Sequence, residues 1–480
     1  MREADRERDD AAEDDDAADG PDDGRALDGH CAMMPGVPGG AEAGSECQTA
    51  VGRLVRVTTG APSSDPAGAA APLVARTTEV AASTVEALVD LLPAADPVAW
   101  LRHGDGIVGW GRAAEVRTAG AGRFAEADAR WTEMVGHAVV RDKVRLPGTG
   151  LVCFGSFAFA DDPGDSVLVV PEVVVGRRED RAWVTTITSG GLDHTEHRLL
   201  AADPPPEPVD LVVAEGALSP DEWAAVVGDA VARISAGDLE KVVLARDLVA
   251  TTGEPLDVRW PLRRLASSYP SCWTFHVDGL FGATPEMLVR RERGLVTSRV
   301  LAGTIRRTGD DQHDLALAAT LARSSKDLEE HEYAVRSVAD ALAPHCSSMN
   351  VPESPFVLHL PNVMHLATDV AGVVHDAAAV SSLELAAALH PSAAVGGTPT
   401  AEAVVLIAEI EGMDRGRYAG PVGWMDATGD GEWGIALRSA EVDGATVRLF
   451  AGCGIVAGSD PADELAEARA KFVPVLDALR

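Results

Sequence analysis

From residue 206 to residue 480 the chain alternates short β-branched runs with helix-period runs and never breaks for a linker. Elements arranged this way must cover one another's apolar faces, so they cannot be shared out among separate domains. The expectation is one large α+β unit. Residues 49–205, with Val/Leu-rich runs set between Gly- and Asp-rich turns, are expected to form the N-terminal half of the same α+β domain.

Several elements carry their own boundary signals. Ser219-Pro220-Asp221-Glu222 has the form of a capping box with proline in the first turn, and predicts a helix to about Ala236 that stops at Gly237. A strand bearing Lys241 follows. Further strands are expected over Trp273–Val277, Phe281–Val289 and Leu295–Leu301, the last running into a turn at Ala302-Gly303-Thr304. Residues 311–343 predict one long helix. Near the end, Glu432–Ala440 and Ala445–Phe450 predict strands, and Ser459-Asp460-Pro461 opens a helix to about Leu479.

Charge excludes some partners. The formal net charge is −34, and residues 1–24 hold twelve acids against three arginines. Residues 1–48 are therefore expected to be a disordered acidic leader. The acidity that remains speaks against nucleic acid or an anionic membrane as a partner. The start lacks the basic and apolar regions of a signal peptide, and no segment has the length of a bilayer span. The six cysteines show no C-x-x-C spacing, which fits reduced thiols and a cytoplasmic protein rather than a disulfide frame or zinc centre.

Only four residues are lysine: 143, 241, 326 and 471. Lysine can lose its proton when desolvated and act as a base, which arginine cannot. Lys241 opens the apolar run Lys241-Val242-Val243-Leu244-Ala245, where desolvation would favour that role. The alternative is an ordinary strand lysine. Glu286 follows Pro285 at the end of an apolar strand, where burial would keep its carboxyl protonated near neutrality; it then makes an acid to oppose Lys241. A surface Glu ending a strand is the competing description.

Asp327 and Glu330 lie three apart on the expected long helix, as do Glu464 and Glu467 on the last, with Lys471 four further on. Two such faces can converge on a hard cation; Mg²⁺ takes one or two carboxylates and keeps waters. Glu330 and Glu467 would then be direct ligands, with Asp327 and Glu464 behind them through water. Solvated helix faces, and acids favoured by a helix N-terminus, explain the same residues without a metal. Gly303-Thr304, Gly452-Cys453-Gly454 and Gly396-Gly397-Thr398 offer backbone N–H groups to an anion. Arg438, expected mid-strand among apolar residues, calls for a carboxylate, either from a ligand or from an internal salt bridge.

Together these segments resemble the chorismate-utilising enzymes, and among them isochorismate synthases. The resemblance is carried by Lys241–Arg246, Gly282–Glu286, Leu301–Thr304 and Ser325-Lys326-Asp327 on to Glu330-His331. Leu389-His390-Pro391, Ala394–Pro399, Tyr418–Trp424, Gly429–Trp433, Ala451–Val456 and Glu464-x-x-Glu467-x-x-x-Lys471 continue it in family order. It implies the chorismate-utilising α+β fold, with large antiparallel β-sheets forming a sandwich-like core and helices packed outside, and that 206–480 is the chorismate-binding catalytic core. It also implies that Lys241 activates water for attack at C2 of chorismate and that Glu286 protonates the departing C4 hydroxyl. Glu330 and Glu467 would hold Mg²⁺. Gly303, Thr304, Arg438, Gly452 and Lys471 would contact substrate carboxylates, with Tyr418 and Ala394 lining the pocket.

Two positions sort the subfamilies. Anthranilate synthases have Gln where Lys241 stands, and aminodeoxychorismate synthases have Lys where Ala302 stands. Water is therefore the expected nucleophile, with no amidotransferase subunit. The resemblance implies an isochorismate synthase feeding menaquinone or siderophore synthesis, acting on chorismate as a monomer. A salicylate synthase, which adds pyruvate elimination, and a catalytically dead chorismate-binding protein are the alternatives. Ser392-Ala393, Ile305-Arg306 and Cys453 depart from the family's usual Thr-Pro, Arg-Pro and Ala.

Overall fold

The computed structural model describes residues 72–189, 199, 201–359 and 363–480, with the side chains of Lys326 and Glu330 excepted. The acidic leader at 1–48 lies outside the described residues. No helix among those described is long and apolar enough to cross a membrane.

Two large sheets, one of thirteen strands and one of ten, form the body. Pairing is antiparallel throughout, apart from Leu73–Val80 beside Val139–Asp142. Each sheet mixes strands from both parts of the chain. Trp273–Val277 pairs with Val98–Arg102 in the larger sheet, and Pro421–Asp426 pairs with Val152–Ser156 in the smaller. The largest cluster of buried side chains draws on both sheets, with Trp100 and Phe275 from one and Phe154, Leu168 and Trp433 from the other. On the far face of the larger sheet, Leu262 and Leu265 of the helix Arg259–Ser268 pack with Phe472 and Val475 of the helix Pro461–Leu479.

Local signals set the helix ends. The Ser219 side chain accepts from the Glu222 N–H and the Glu222 carboxylate accepts from the Ser219 N–H, a complete capping box, and left-handed Gly237 ends the helix Pro220–Ala236. Asp460 caps Pro461–Leu479.

Five expected elements differ. The single helix over 311–343 is two, Asp311–Leu321 and Ser325–Leu342, because the Ser324 hydroxyl caps a new start by accepting from the Asp327 N–H. The strand expected over Phe281–Val289 is also two. Leu280–Thr284 belongs to the larger sheet and Met287–Glu292 to the smaller, with Pro285-Glu286 as the crossing. Glu432–Ala440 likewise divides into Gly431–Ile435 and Ser439–Asp443 on different sheets, so Arg438 is not mid-strand but at the crossing, with φ +50°. Ala302-Gly303-Thr304 is not a turn: the strand continues from Leu295 to Arg306, and Gly303, at φ +77°, is the extra residue of a bulge. Gly452-Cys453-Gly454 does not follow a strand but lies inside one, Thr446–Ile455.

One buried ion pair braces the Lys241–Thr251 strand. Arg415 and Glu411, 3% and 1% exposed, meet at 2.6 Å. Arg415 also donates to the carbonyls of Val243 (2.7 Å) and Val395 (2.9 Å), and Glu411 accepts from the Ala245 N–H (2.8 Å). Arg415→Met would leave a carboxylate buried and unpaired, and is expected to cost about 3–5 kcal/mol in urea unfolding. The double variant Arg415→Met/Glu411→Gln should recover more than half of that loss, since no bare charge remains.

Candidate active site

The site is assembled around the two sheet crossings. They lie side by side and are stitched together: the Ile435 N–H donates to the Glu286 carbonyl (3.1 Å) and the Ala283 N–H to the Arg438 carbonyl (3.2 Å). A side chain at Gly282 would stand 2.6 Å from that Arg438 carbonyl, so the close passage needs glycine there. Crossing the sheets therefore delivers a carboxyl and a guanidinium to one region. Among the described residues Arg438 makes no ion pair of its own, so the internal salt bridge considered from sequence is not found there.

Lys241 begins its strand beside Gly397-Thr398 on one edge and Thr446–Ile455 on the other. Its side chain lies across Gly454, where an added Cβ would come within 2.8 Å of Lys241 Cε and 3.5 Å of Nζ. Lys241 and Glu286 both line a cavity of about 510 Å³, with Ala302 and Ala394. Much of the remaining wall is apolar, including Met287, Leu288, Val300, Leu301 and Ile435. Gly303, Thr304, Tyr418, Arg438, Gly452 and Lys471 do not line that cavity. Of these, Arg438 and Lys471 lie close enough to Glu286 to act on its charge.

That second group is tightly interlocked. Lys471 Nζ donates to the Gly452 carbonyl (2.8 Å) and pairs with Glu467 (2.7 Å). The Ala245 N–H, opposite Gly452, is spent on Glu411, so this is a non-hydrogen-bonded pair in the ladder. Gly452 thus turns its N–H, like its carbonyl, away from the Lys241 strand and toward the site. Tyr418 is buried and stacked on Phe450 at 5.1 Å, and its hydroxyl lies over Gly452. Burial pushes that phenol up to about 12. On the bulged strand, Gly303 packs against the Asp327 side chain, and Thr304 Oγ1 lies 2.9 Å from His365 Nδ1.

Electrostatics link the two groups. Burial raises the Glu286 carboxyl to about 7, opposed by Lys241, Arg438 and Lys471. At neutrality it is therefore shared between acid and carboxylate. Burial likewise raises Glu464, against a 2.7 Å hydrogen bond from Ser459, with the like charge of Glu467 adding to the rise. Glu467 goes the other way: burial would raise it, but the Lys471 ammonium outweighs that, helped by Arg306 and Arg438.

Glu464, Glu467 and the Cys453 thiol place ligand atoms within 4.8 Å of one another. Two carboxylates suit a hard cation such as Mg²⁺. The thiol does not compete, because burial raises Cys453 to about 12 and keeps it protonated. Asp327 faces Gly303 from the helix Ser325–Leu342; the Glu330 side chain lies outside the described residues. Sequence reasoning singled out neither His365 nor the Glu411–Arg415 brace. His365 is visible only through the register that sets it opposite Thr304.

The chain matches the chorismate binding enzyme family over residues 98–480. It belongs to that family. Isochorismate synthase DhbC of Bacillus subtilis is 43% identical over 271 residues, 54% of this chain and 68% of that one. Isochorismate synthase MenF of the same organism is 31% identical over 402 residues, 78% of this chain and 85% of that one. A solved structure described as a putative 2,3-dihydroxybenzoate-specific isochorismate synthase, DhbC from Bacillus anthracis, superposes with a TM-score of 0.67 at 33% identity. It covers 82% of this chain and 98% of that one. The sheets and helices found here are those of the chorismate-utilising fold.

Glu286 gives a direct test of this electrostatic arrangement. Its folded pKa is raised from 4.5 to about 7, so its proton stabilises the fold fully below about pH 4.5, and that stabilisation is lost as pH rises through 7. Glu286→Gln should remove this dependence. Urea unfolding between about pH 5 and about pH 8 should show the parent losing stability relative to the variant.

Proposed function

We propose that the chain converts chorismate to isochorismate by adding water at C2 and expelling the C4 hydroxyl, with Lys241 and Glu286 as the opposed base and acid. The observation that carries the assignment of these two residues is their meeting on one cavity, with the Glu286 carboxyl raised to about 7. The relatives named above support the activity.

The chemistry follows from the two groups. Neutral Lys241 Nζ takes a proton from water as the oxygen bonds to C2. The ring double bonds shift, the C4–O bond breaks, and the Glu286 carboxyl gives its proton to the departing hydroxyl, which leaves as water. One water enters and one leaves, so the net change is isomerisation. Proton transfer returning from Lys241 to Glu286 through solvent restores both. An apolar wall lowers the local dielectric, which favours the uncharged lysine and the protonated acid together.

In this proposal the substrate carboxylates face Gly303, Thr304, Arg438, Gly452 and Lys471, with Tyr418 and Ala394 shaping the pocket. Glu330 and Glu467 would hold Mg²⁺, with Asp327 and Glu464 behind them through water, and the ion would supply positive charge to offset a substrate carboxylate. Lys471, paired with Glu467, would add its own charge there. The family's sorting positions favour water as nucleophile, because Lys241 and Ala302 stand where ammonia-using and covalent relatives have Gln and Lys. A chain that keeps Lys241, Glu286, Glu330 and Glu467 speaks against a dead binding protein.

Incubation with chorismate and Mg²⁺, followed by chromatography, should yield isochorismate without pyruvate. Stoichiometric salicylate and pyruvate would instead assign the two-step reaction. Lys241→Gln should lower kcat by roughly 10²–10⁴-fold with an unchanged circular dichroism spectrum. A variant that retains most of its activity would remove the base assignment. Glu330→Gln should weaken Mg²⁺ activation, seen as a higher metal concentration at half-maximal rate.

A further inference from the structure

Thr304 stands directly opposite His365 across the pairing of Leu295–Arg306 with Val363–Val374, in a register created by the bulge at Gly303. Thr304 is exposed and His365 is half-buried. Thr304 Oγ1 and His365 Nδ1 are 2.9 Å apart. Burial, reinforced by Arg438 and Lys471, lowers His365 to about 4. The ring is therefore neutral under working conditions and carries a single N–H.

A threonine hydroxyl has one proton to give. If His365 Nδ1 accepted it, Thr304 would present only lone pairs to an approaching anion, and would repel it. If Nδ1 carries the hydrogen, it donates to Oγ1, and the hydroxyl proton turns outward to where an anion can take it. Two cations already stand near this ring, so a neutral imidazole also avoids a third positive charge in the same region.

We propose that His365 is a positioning residue whose Nδ1–H donates to Thr304 Oγ1 and aims the Thr304 hydroxyl proton at the substrate carboxylate. The inference rests on the proposed role of Gly303 and Thr304 as carboxylate contacts. His365 itself exchanges no proton with substrate and stays neutral through the cycle.

Steady-state kinetics with chorismate at saturating Mg²⁺ separate the possibilities. Thr304→Val should raise KM about 10-fold or more, the loss of one hydrogen bond to a charged group. His365→Leu should raise KM about 10-fold with kcat changed less than about threefold. His365→Asn, whose amide occupies the Nδ1 position, should return KM to within about threefold of the parent. In a Thr304→Val background, His365→Leu should add less than about twofold, because the two residues act through one contact. Multiplicative losses in the double variant, or an unchanged KM in a folded His365→Leu protein when Thr304→Val is impaired, would overturn the proposal. An unchanged KM in Thr304→Val would overturn both this inference and the carboxylate assignment beneath it. Thermal unfolding of each variant distinguishes a lost contact from a lost fold.

Discussion

Everything chemical in this molecule depends on how the Lys241–Thr251 strand is held, and the Glu411–Arg415 pair does the holding. Two charges at 1% and 3% exposure are expensive to bury, and they persist because each spare valence has a backbone partner. Arg415 ties the Val243 carbonyl to the Val395 carbonyl, and so joins the lysine strand to the loop before Gly396-Gly397. Glu411 takes the Ala245 N–H, which frees the backbone of Gly452 across the ladder to face Lys471 and the site. A hydrophobic replacement could match the stability of the pair, but it would not direct three backbone groups.

The second organising constraint is the double crossing between sheets. Leu280–Thr284 pairs with Ser439–Asp443 in the larger sheet, and Met287–Glu292 pairs with Gly431–Ile435 in the smaller. Two neighbouring strands thus leave one sheet and enter the other together. The residues in the gap cannot join either ladder, so their side chains are free to serve a site. Glu286 is wrapped closely enough to hold its proton to about pH 7, and Arg438 sits nearby in a left-handed backbone conformation. The buried carboxyl and the guanidinium near it are consequences of one topological event.

Much of the chemistry was legible in the residues themselves. Lysine scarcity, with an apolar run around it, picked out Lys241. Spacing of three and four along helices placed Glu464, Glu467 and Lys471 on one face, where the structure pairs Lys471 with Glu467 at 2.7 Å. Capping chemistry at Ser219 and Asp460 fixed two helix starts, because such signals act over three or four residues. The failures are equally local in origin. Apolar runs over 281–289 and 432–440 look continuous because hydrophobicity does not record which sheet a residue faces. A glycine in a bulge and a glycine in a turn carry the same sequence signature, so Gly303 was taken for a turn.

By itself, then, the sequence determined an inventory: a lone lysine in an apolar strand, acids at helical spacing and glycines between them, all in the order of a family. Tertiary structure alone decided their relations. It set His365 opposite Thr304, split two strands between sheets so that Glu286 and Arg438 sit at the crossings, and put Cys453 beside Glu464 and Glu467. The physical reason is range. Propensity, capping and spacing operate within a few residues, whereas strand register and burial, which decide what a carboxyl or imidazole feels, are fixed by partners far away in the chain.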